Sequence, residues 1–231
     1  MMHLILSIII SFLFGISSNY EIKSIPAYVE RIEPTKFVAL TFDDGPGPYT
    51  DRLLDFLYEY DVFATFYVMG FSVYRRSETF IRTVNLGHEI GNHTWLHENL
   101  VYITTEEGIE TYTKTSDLIY ELASIRPKTA RPPFGSLDER VEEMHEYLDY
   151  PIVLWSLDTR DWETRDPYKI YNEIMENIFD GAIILMHDIH KSTYYAIRKV
   201  IPRLIEMGFG FKTVSELVGY MESGNIYRRG N

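Results

Sequence analysis

The feature that most constrains the fold is the alternation of short apolar segments with amphipathic ones along the chain. Residues 36–42 and 62–68 are rich in β-branched and aromatic side chains, as expected for buried strands. Residues 50–60 repeat apolar side chains at helical spacing, and Thr104 with Glu107 resembles the capping box that opens a helix. Because strands alternate with helices, the pattern predicts an α/β fold with a mostly parallel sheet. A (β/α) barrel and a doubly wound open sheet are both compatible with it.

The size, charge and cysteine content of the chain narrow its functional class. A chain of 231 residues is long enough for a single domain with a sizeable core. Its formal net charge of -12 argues against nucleic acids and anionic membrane surfaces as partners, whereas a neutral polymer would not be repelled. The chain contains no cysteine, which excludes a disulfide framework and thiol chemistry. We expect a monomer.

The amino terminus has the features of a secretion signal. Residues 4–16 are apolar except for small or polar interruptions, and the run is too short to span a bilayer comfortably. Ser17 and Ser18 follow it as small residues suited to cleavage. We therefore predict a signal peptide at residues 1–18, a mature domain at residues 19–231 and a secreted, extracellular or cell-wall location, with no transmembrane segment after leader removal. An uncleaved anchor is the alternative, because positive charge is scarce at the start of the chain.

Two short motifs carry the residue types of a metal site. Asp43 and Asp44 end an apolar run and precede a Gly-Pro turn, so adjacent carboxylates can point in different directions. His93 and His97 are four residues apart, and a single helical turn would direct both imidazoles the same way. One carboxylate with two imidazoles is a ligand set for a catalytic divalent metal. Taken singly, the same motifs also fit a solvated turn and ordinary polar core histidines.

Three further stretches accompany these two motifs, namely Arg131-Pro132-Pro133-Phe134-Gly135, Asp158-Thr159-Arg160-Asp161-Trp162 and Leu185-Met186-His187-Asp188. With all five motifs in this order, the chain resembles the polysaccharide deacetylase family, carbohydrate esterase family four, which includes chitin and peptidoglycan deacetylases. The resemblance covers roughly residues 36–220. It implies a distorted (β/α) barrel with about seven parallel strands and a single catalytic domain. In such barrels the active site lies where strands end, which is where all five motifs fall.

The resemblance also implies a metal centre. Asp44, His93 and His97 would be its ligands, with zinc as the first expectation and cobalt as the second. In the family this ion activates water and polarises the carbonyl of an otherwise unreactive amide. Glu98 follows the second histidine where proline is common in the family, so the loop that carries His97 is a point of departure.

By the same resemblance, two catalytic pairs flank the metal. Asp43 would be the general base, with Arg131 holding its orientation, although a surface arginine before a rigid Pro-Pro turn is the simpler alternative. His187 would be the general acid that protonates the leaving amine, and Asp161 would be its carboxylate partner.

The remaining motif residues would shape the pocket. The backbone N–H of Phe134 would face the developing oxyanion, and Trp162 would form a wall of the pocket. Asp158 is a weaker candidate, because it also suits the organisation of its loop.

These inferences predict a secreted, metal-dependent N-deacetylase that hydrolyses the acetamide of N-acetylglucosamine units in a β-1,4-linked polymer. Chitin is the first choice and peptidoglycan the second. A catalytically silent cell-wall or coat protein that keeps the fold is the alternative. A metalloprotease would need a glutamate beside the first histidine, where this chain has Thr94.

Overall fold

A computed structural model describes residues 33–230 of the chain. The predicted signal peptide at residues 1–18 lies outside the described residues. The strands are β1 (Lys36–Asp43), β2 (Thr65–Val68), β3 (Glu89–Asn92), β4 (Ile152–Val153), β5 (Leu157–Asp158), β6 (Ile183–His187), β7 (Phe209–Phe211) and β8 (Ile226–Tyr227). The helices are α1 (Thr50–Glu59), α2 (Gly70–Arg75), α3 (Ser77–Asn85), α4 (Thr105–Ala123), α5 (Glu139–Tyr147), α6 (Asp161–Thr164), α7 (Pro167–Asn177), α8 (Lys191–Glu206) and α9 (Val214–Val218).

The sheet is built from parallel pairs. Its main path is β3-β2-β1-β6-β5, and β7 pairs with the start of β1. Beyond β3 the sheet continues through Ala130, which bridges Asn92 on one side and Ile152 of β4 on the other. The chain then passes from β4 directly into β5, on the opposite side of β1. This arrangement confirms the predicted distorted barrel within a single domain.

Strand β1 lies at the centre of the fold because both of its faces are apolar. Val38, Leu40 and Phe42 are fully buried against the helical layer. Ala39 faces the opposite way, into a second cluster inside the barrel. Because side chains alternate along a strand, Asp43 shares the inner face with Ala39. The pattern of β1 therefore directs its terminal carboxylate into the barrel.

Some elements of the fold are short or irregular. The segment before Arg131 forms only the bridge at Ala130, and residues 152–158 divide into β4 and β5. Helix α8 continues through Pro202, a residue type that ordinarily kinks or breaks a helix. Val200, Ile201 and Leu204 are fully buried around the proline, so core packing offsets the loss of one backbone hydrogen bond.

The described residues include no helix with the length and apolar character needed to cross a bilayer.

The amino terminus of α4 gives a test of the fold. The capping box is present, because Thr104 Oγ1 accepts from the Glu107 N–H at 3.2 Å and the Glu107 carboxylate accepts from the Thr104 N–H at 2.8 Å. Thr104→Ala should lower the free energy of unfolding by about 1 kcal/mol. Denaturant titration of the variant measures this.

The matched control is Thr113→Ala, the same substitution at an exposed position of α4. Alanine has the higher helix propensity, so this variant should be neutral or slightly more stable. Equal destabilisation by the two substitutions would contradict a capping role for Thr104.

Candidate active site

The predicted site residues converge on one cavity of about 420 Å³ at the carboxyl end of the barrel. Strands β1, β5 and β6 end at it, together with the loops that follow β3, Ala130 and β4. The cavity is lined by Asp43, Asp44, His93, His97, Pro132, Phe134, Gly135, Trp155, Asp158, Trp162, Leu185 and His187. Arg131 and Asp161 lie behind this lining and are fully buried.

Asp43 and Arg131 form a buried ion pair. Arg131 Nη1 donates to Asp43 Oδ1 at 2.7 Å and to the Thr41 hydroxyl at 2.8 Å. Its Nε and Nη2 donate to the carbonyl oxygens of Val153 and Leu154, each at 3.0 Å. The arginine is thus an internal group that orients Asp43, and the alternative of a surface arginine is excluded.

Asp44 diverges from Asp43 because the backbone turns sharply at the end of β1. Asp44 has φ of 73°, a left-handed conformation that points its carboxylate away from Arg131. Its Oδ1 lies 3.5 Å from Nε2 of His93 and 3.5 Å from Nε2 of His97. One ligand atom from each of these three residues falls within 4.8 Å of the others.

His93 and His97 are brought together by a loop and not by a helical turn. Residues 93–97 form a loop, so the predicted helical turn is wrong. Thr94 and His97 have φ of 66° and 64°, and these two left-handed residues bring the imidazoles together. Their ring centroids are 5.0 Å apart. Contacts from outside the motif hold the loop in this conformation.

The three side chains fit a divalent metal ion. The Nδ1 atom of His93 lies 2.6 Å from the Arg131 carbonyl oxygen and must donate to it, which leaves the Nε2 lone pair directed at Asp44. Asp44 Oδ1 is buried without a hydrogen-bond partner. Burial raises the pKa of Asp44, but the nearby imidazoles of His93, His187 and His97 outweigh it and hold this pKa well below its usual range. An anionic oxygen with two imidazole nitrogens suits zinc and several other divalent ions.

His187 and Asp161 form a second pair. His187 Nδ1 donates to Asp161 Oδ1 at 2.7 Å, and Asp161 Oδ2 accepts from the His187 N–H at 2.8 Å and from the Thr193 hydroxyl at 2.5 Å. Burial lowers the pKa of His187, but the hydrogen bond and charge of Asp161 outweigh it and raise this pKa to about 9. Burial raises the pKa of Asp161, and its contacts with His187 lower it overall. His187 is therefore an imidazolium at neutral pH.

The sheet register brings the Asp43–Arg131 and His187–Asp161 pairs together, since Asp43 and His187 are Cα partners on neighbouring parallel strands.

Trp162 and Phe134 form the exposed rim of the cavity, and the ring centroids of Phe134 and His97 are 4.4 Å apart. Asp158 lines the cavity, but its carboxylate accepts from the Arg160 N–H at 2.9 Å. This contact supports the loop-organising role that was its alternative.

Trp155 and Asp188 also belong to the site and were not predicted from the sequence. Trp155 lines the cavity and packs on Gly135, where an added Cβ would lie 2.8 Å from the indole. Asp188 is 2% exposed and accepts a hydrogen bond from the Thr50 hydroxyl. The Thr50 hydroxyl also accepts from the Gly47 N–H, so it links that residue to Asp188. Asp188 follows His187 in the fifth motif, but its contact with Thr50, 138 residues away, has no signal in the sequence.

The chain is similar in sequence to known polysaccharide deacetylases. The sequence profile of a family described as polysaccharide deacetylase matches residues 30–153. Peptidoglycan-N-acetylmuramic acid deacetylase PdaC of Bacillus subtilis is 36% identical over 201 residues, which cover 86% of this chain and 42% of PdaC. A peptidoglycan-N-acetylglucosamine deacetylase of Bacillus cereus is 37% identical over 193 residues, which cover 80% of this chain and 89% of that protein. The chain thus spans less than half the length of PdaC.

Structural similarity agrees with sequence similarity. A solved structure named "T48 deacetylase with substrate" has a TM-score of 0.79 and 40% sequence identity, covering 83% of this chain and 96% of that one. More distantly, chitin deacetylase 1 of Cryptococcus neoformans is 31% identical over 205 residues, which cover 78% of this chain and 43% of that protein.

Metal binding gives the first test of the site. The wild-type protein should bind one divalent ion, and His97→Ala should lose most of that affinity because one of three ligand atoms is gone. Calorimetric titration of metal-free protein with Zn²⁺ measures both. The control is His190→Ala, which removes an imidazole outside the three-residue cluster. Equally negligible binding by wild type and His97→Ala would refute the metal site.

The state of His187 gives the second test. In Asp161→Asn the carboxylate charge is lost while burial remains, so the pKa of His187 should fall from about 9 to its usual 6.5 or lower. In the wild type, the stabilisation from this pair is fully present below pH 6.5 and is lost as the pH rises through about 9.

Nuclear magnetic resonance titration of the imidazole nitrogens measures this pKa directly. Asp158→Asn is the control, because it removes a carboxylate that lines the same cavity without contacting His187. A His187 pKa that stays near 9 in Asp161→Asn would show that Asp161 does not set it.

Proposed function

Because the chain belongs to the polysaccharide deacetylase family, we propose that it is a metal-dependent N-deacetylase that hydrolyses the acetamide of N-acetyl amino sugars in a cell-wall polymer. The observation that carries this proposal is one cavity holding an oriented carboxylate, a charged imidazole and a three-residue ligand cluster. Amide hydrolysis needs these three functions, since both water and the amide are unreactive at neutral pH.

Asp44, His93 and His97 hold the metal ion in this proposal. The ion, when bound, supplies Lewis acidity that activates water and polarises the acetamide carbonyl. Zinc is the first candidate and cobalt the second, since the donor set accepts both. Support comes from the unpartnered Asp44 oxygen and from the His93 tautomer that the Arg131 carbonyl oxygen selects.

Asp43 is the general base. Arg131 engages its Oδ1, and Oδ2 lies 3.8 Å from Nε2 of His93, on the side of the ligand cluster. This oxygen takes the proton of the attacking water as the new C–O bond forms. Because the guanidinium fixes the carboxylate in one orientation, little reorganisation is needed during the reaction.

His187 is the general acid. Asp161 holds its Nδ1–H, so the Nε2–H is the proton available to the substrate nitrogen. That proton passes to the amine as the C–N bond breaks, which releases acetate and a free amino sugar. Trp162 forms a wall of the pocket, and the Phe134 N–H would stabilise the oxyanion.

The names of the relatives favour peptidoglycan as the polymer. PdaC is named for N-acetylmuramic acid and the Bacillus cereus relative for N-acetylglucosamine. Chitin, the first choice from the sequence, is not confirmed, although a chitin deacetylase is among the relatives. We therefore place peptidoglycan ahead of chitin as the substrate.

The proposed setting is the cell wall or the extracellular space. Peptidoglycan and chitin both lie outside the cytoplasm, so the predicted signal peptide of residues 1–18 fits this function. We further propose that the protein acts as a monomer and without a nucleic-acid partner, in keeping with its net charge of -12.

A catalytically silent wall or coat protein remains the second hypothesis, and the condition of the site argues against it. The base and acid candidates each keep their charged partner, and all three ligand side chains face one another. Asp44 Oδ1 is buried without a hydrogen-bond partner, a cost that a protein without a bound cation would have no reason to bear.

Acetate release tests the function. Wild-type protein loaded with Zn²⁺ should release acetate from peptidoglycan or from N-acetylglucosamine oligomers. Asp43→Asn should reduce turnover by about 10²–10⁴-fold, because an amide cannot accept the proton of the attacking water. Its metal content should stay near the wild-type value, and its melting temperature must be measured because the substitution leaves Arg131 without a charged partner.

Asp158→Asn is the matched control, since it makes the same substitution in the same cavity and should keep most of the turnover. No acetate release by metal-loaded wild type from peptidoglycan, chitin or their oligomers would overturn the enzyme hypothesis in favour of the silent protein.

A further inference from the structure

We propose that Glu98 is a positioning residue that holds the loop of residues 93–97 in the conformation that directs His97 toward Asp44. This inference rests on the metal role proposed for Asp44, His93 and His97. Glu98 takes no part in the proposed chemistry and does not line the cavity. Its contribution would be made through the backbone on either side of a ligand.

Side chains satisfy the backbone donors of this loop. The Thr94 N–H donates to Asn92 Oδ1 at 3.0 Å, and the Trp95 N–H donates to the Thr111 hydroxyl at 2.8 Å. The Leu96 N–H donates to Glu98 Oε2 at 2.9 Å. Three consecutive N–H groups are therefore bound by three side chains. These contacts hold residues 93–97 in their non-helical conformation.

The Glu98 contact encloses His97. The carboxylate of Glu98 reaches back over one residue to the N–H of Leu96, so the hydrogen bond closes a ring that contains the whole backbone of His97. His97 has φ of 64°, a conformation that is uncommon for residues other than glycine, although histidine adopts it more often than most. A hydrogen bond across such a residue favours the turned conformation over an extended one.

The other anchors of the loop lie on its amino-terminal side. The Gly70 N–H donates to the Thr94 carbonyl at 2.9 Å, and the Phe71 N–H donates to the Trp95 carbonyl at 3.0 Å, which ties both residues to α2. Leu96 comes next and its side chain is 57% exposed. Glu98 thus supports the segment that the contacts with α2 do not reach, and that segment carries the second imidazole.

A different role for Glu98 would be purely electrostatic. An acidic side chain next to a ligand attracts a cation without any contribution from its hydrogen bond. Glutamine separates the two roles, because it keeps an acceptor oxygen for the Leu96 N–H and lacks the charge. Alanine removes both the acceptor and the charge.

The test is calorimetric titration of metal-free protein with Zn²⁺. Glu98→Ala should raise the Kd about 10-fold with one site retained, the lower end of the effect seen when a group that orients a metal ligand is removed. Glu98→Gln should stay close to the wild-type Kd. Glu110→Ala, which removes an exposed glutamate from α4, controls for the change in net charge and should also match the wild type.

Hydrogen exchange gives a second readout that needs neither metal nor activity. In metal-free protein the Leu96 amide should exchange faster in Glu98→Ala than in the wild type, and Glu98→Gln should restore its protection. An unchanged Kd and unchanged Leu96 exchange in Glu98→Ala would overturn the proposal. Equal weakening of Zn²⁺ binding by alanine and glutamine would overturn it in favour of the electrostatic role.

These outcomes are separable from failure of the proposed function. Zn²⁺ binding with no acetate release would remove the enzyme hypothesis and leave the role of Glu98 intact. Failure of the wild type to bind Zn²⁺ would overturn the metal site and, with it, this inference.

Discussion

The buried guanidinium of Arg131 is the interaction on which both the sheet and the candidate site depend. A charge removed from water costs several kcal/mol unless a partner charge and hydrogen bonds replace its hydration. Asp43 supplies the charge, and the Thr41 hydroxyl with the carbonyl oxygens of Val153 and Leu154 supplies the other acceptors. These groups belong to β1 and to the end of β4, on opposite sides of the barrel interior. The arginine can be buried only when both strands are in register. The ion pair that orients Asp43, the base candidate, therefore also links β1 to β4 across the barrel interior.

The sheet and the loops contribute differently to the site. Strand register alone makes Asp43 and His187 neighbours, because they are Cα partners on β1 and β6. The ligand cluster instead depends on loops whose residues adopt left-handed conformations, as Asp44 and His97 do with φ of 73° and 64°. Each such residue costs on the order of 1–3 kcal/mol and persists only where surrounding contacts impose it. The strain is therefore located at Asp44 and His97, the candidate ligands whose backbone turns away from the direction of the preceding strand.

This division explains what the sequence could predict. Strand positions follow from apolar periodicity, which was compatible with both a barrel and an open sheet. The barrel and the members of the cavity were predicted from the resemblance of the five motifs to the polysaccharide deacetylase family. The conformation of residues 93–97 was predicted wrongly, because spacing alone does not show that Thr111, far along the chain, binds a donor of that loop. Asp188 was missed for a similar reason, since its partner Thr50 lies 138 residues away. Local patterns thus predict elements, whereas loop conformations depend on distant partners.

The partner of each histidine Nδ1 decides what that histidine can do. In His93 this atom faces the backbone carbonyl of Arg131, an uncharged acceptor that fixes the tautomer and leaves Nε2 as a lone-pair donor. In His187 it faces the carboxylate of Asp161, which favours the charged ring and raises the pKa to about 9. Exchanging these partners would place an imidazolium beside Asp44, where it could not bind a cation, and a neutral ring where the proposed reaction needs a proton donor. The two histidines are thus suited to different proposed roles, one as a metal ligand and the other as an acid. Arg131, the partner of His93, follows Ala130 at the bridge between β3 and β4, whereas Asp161, the partner of His187, begins α6.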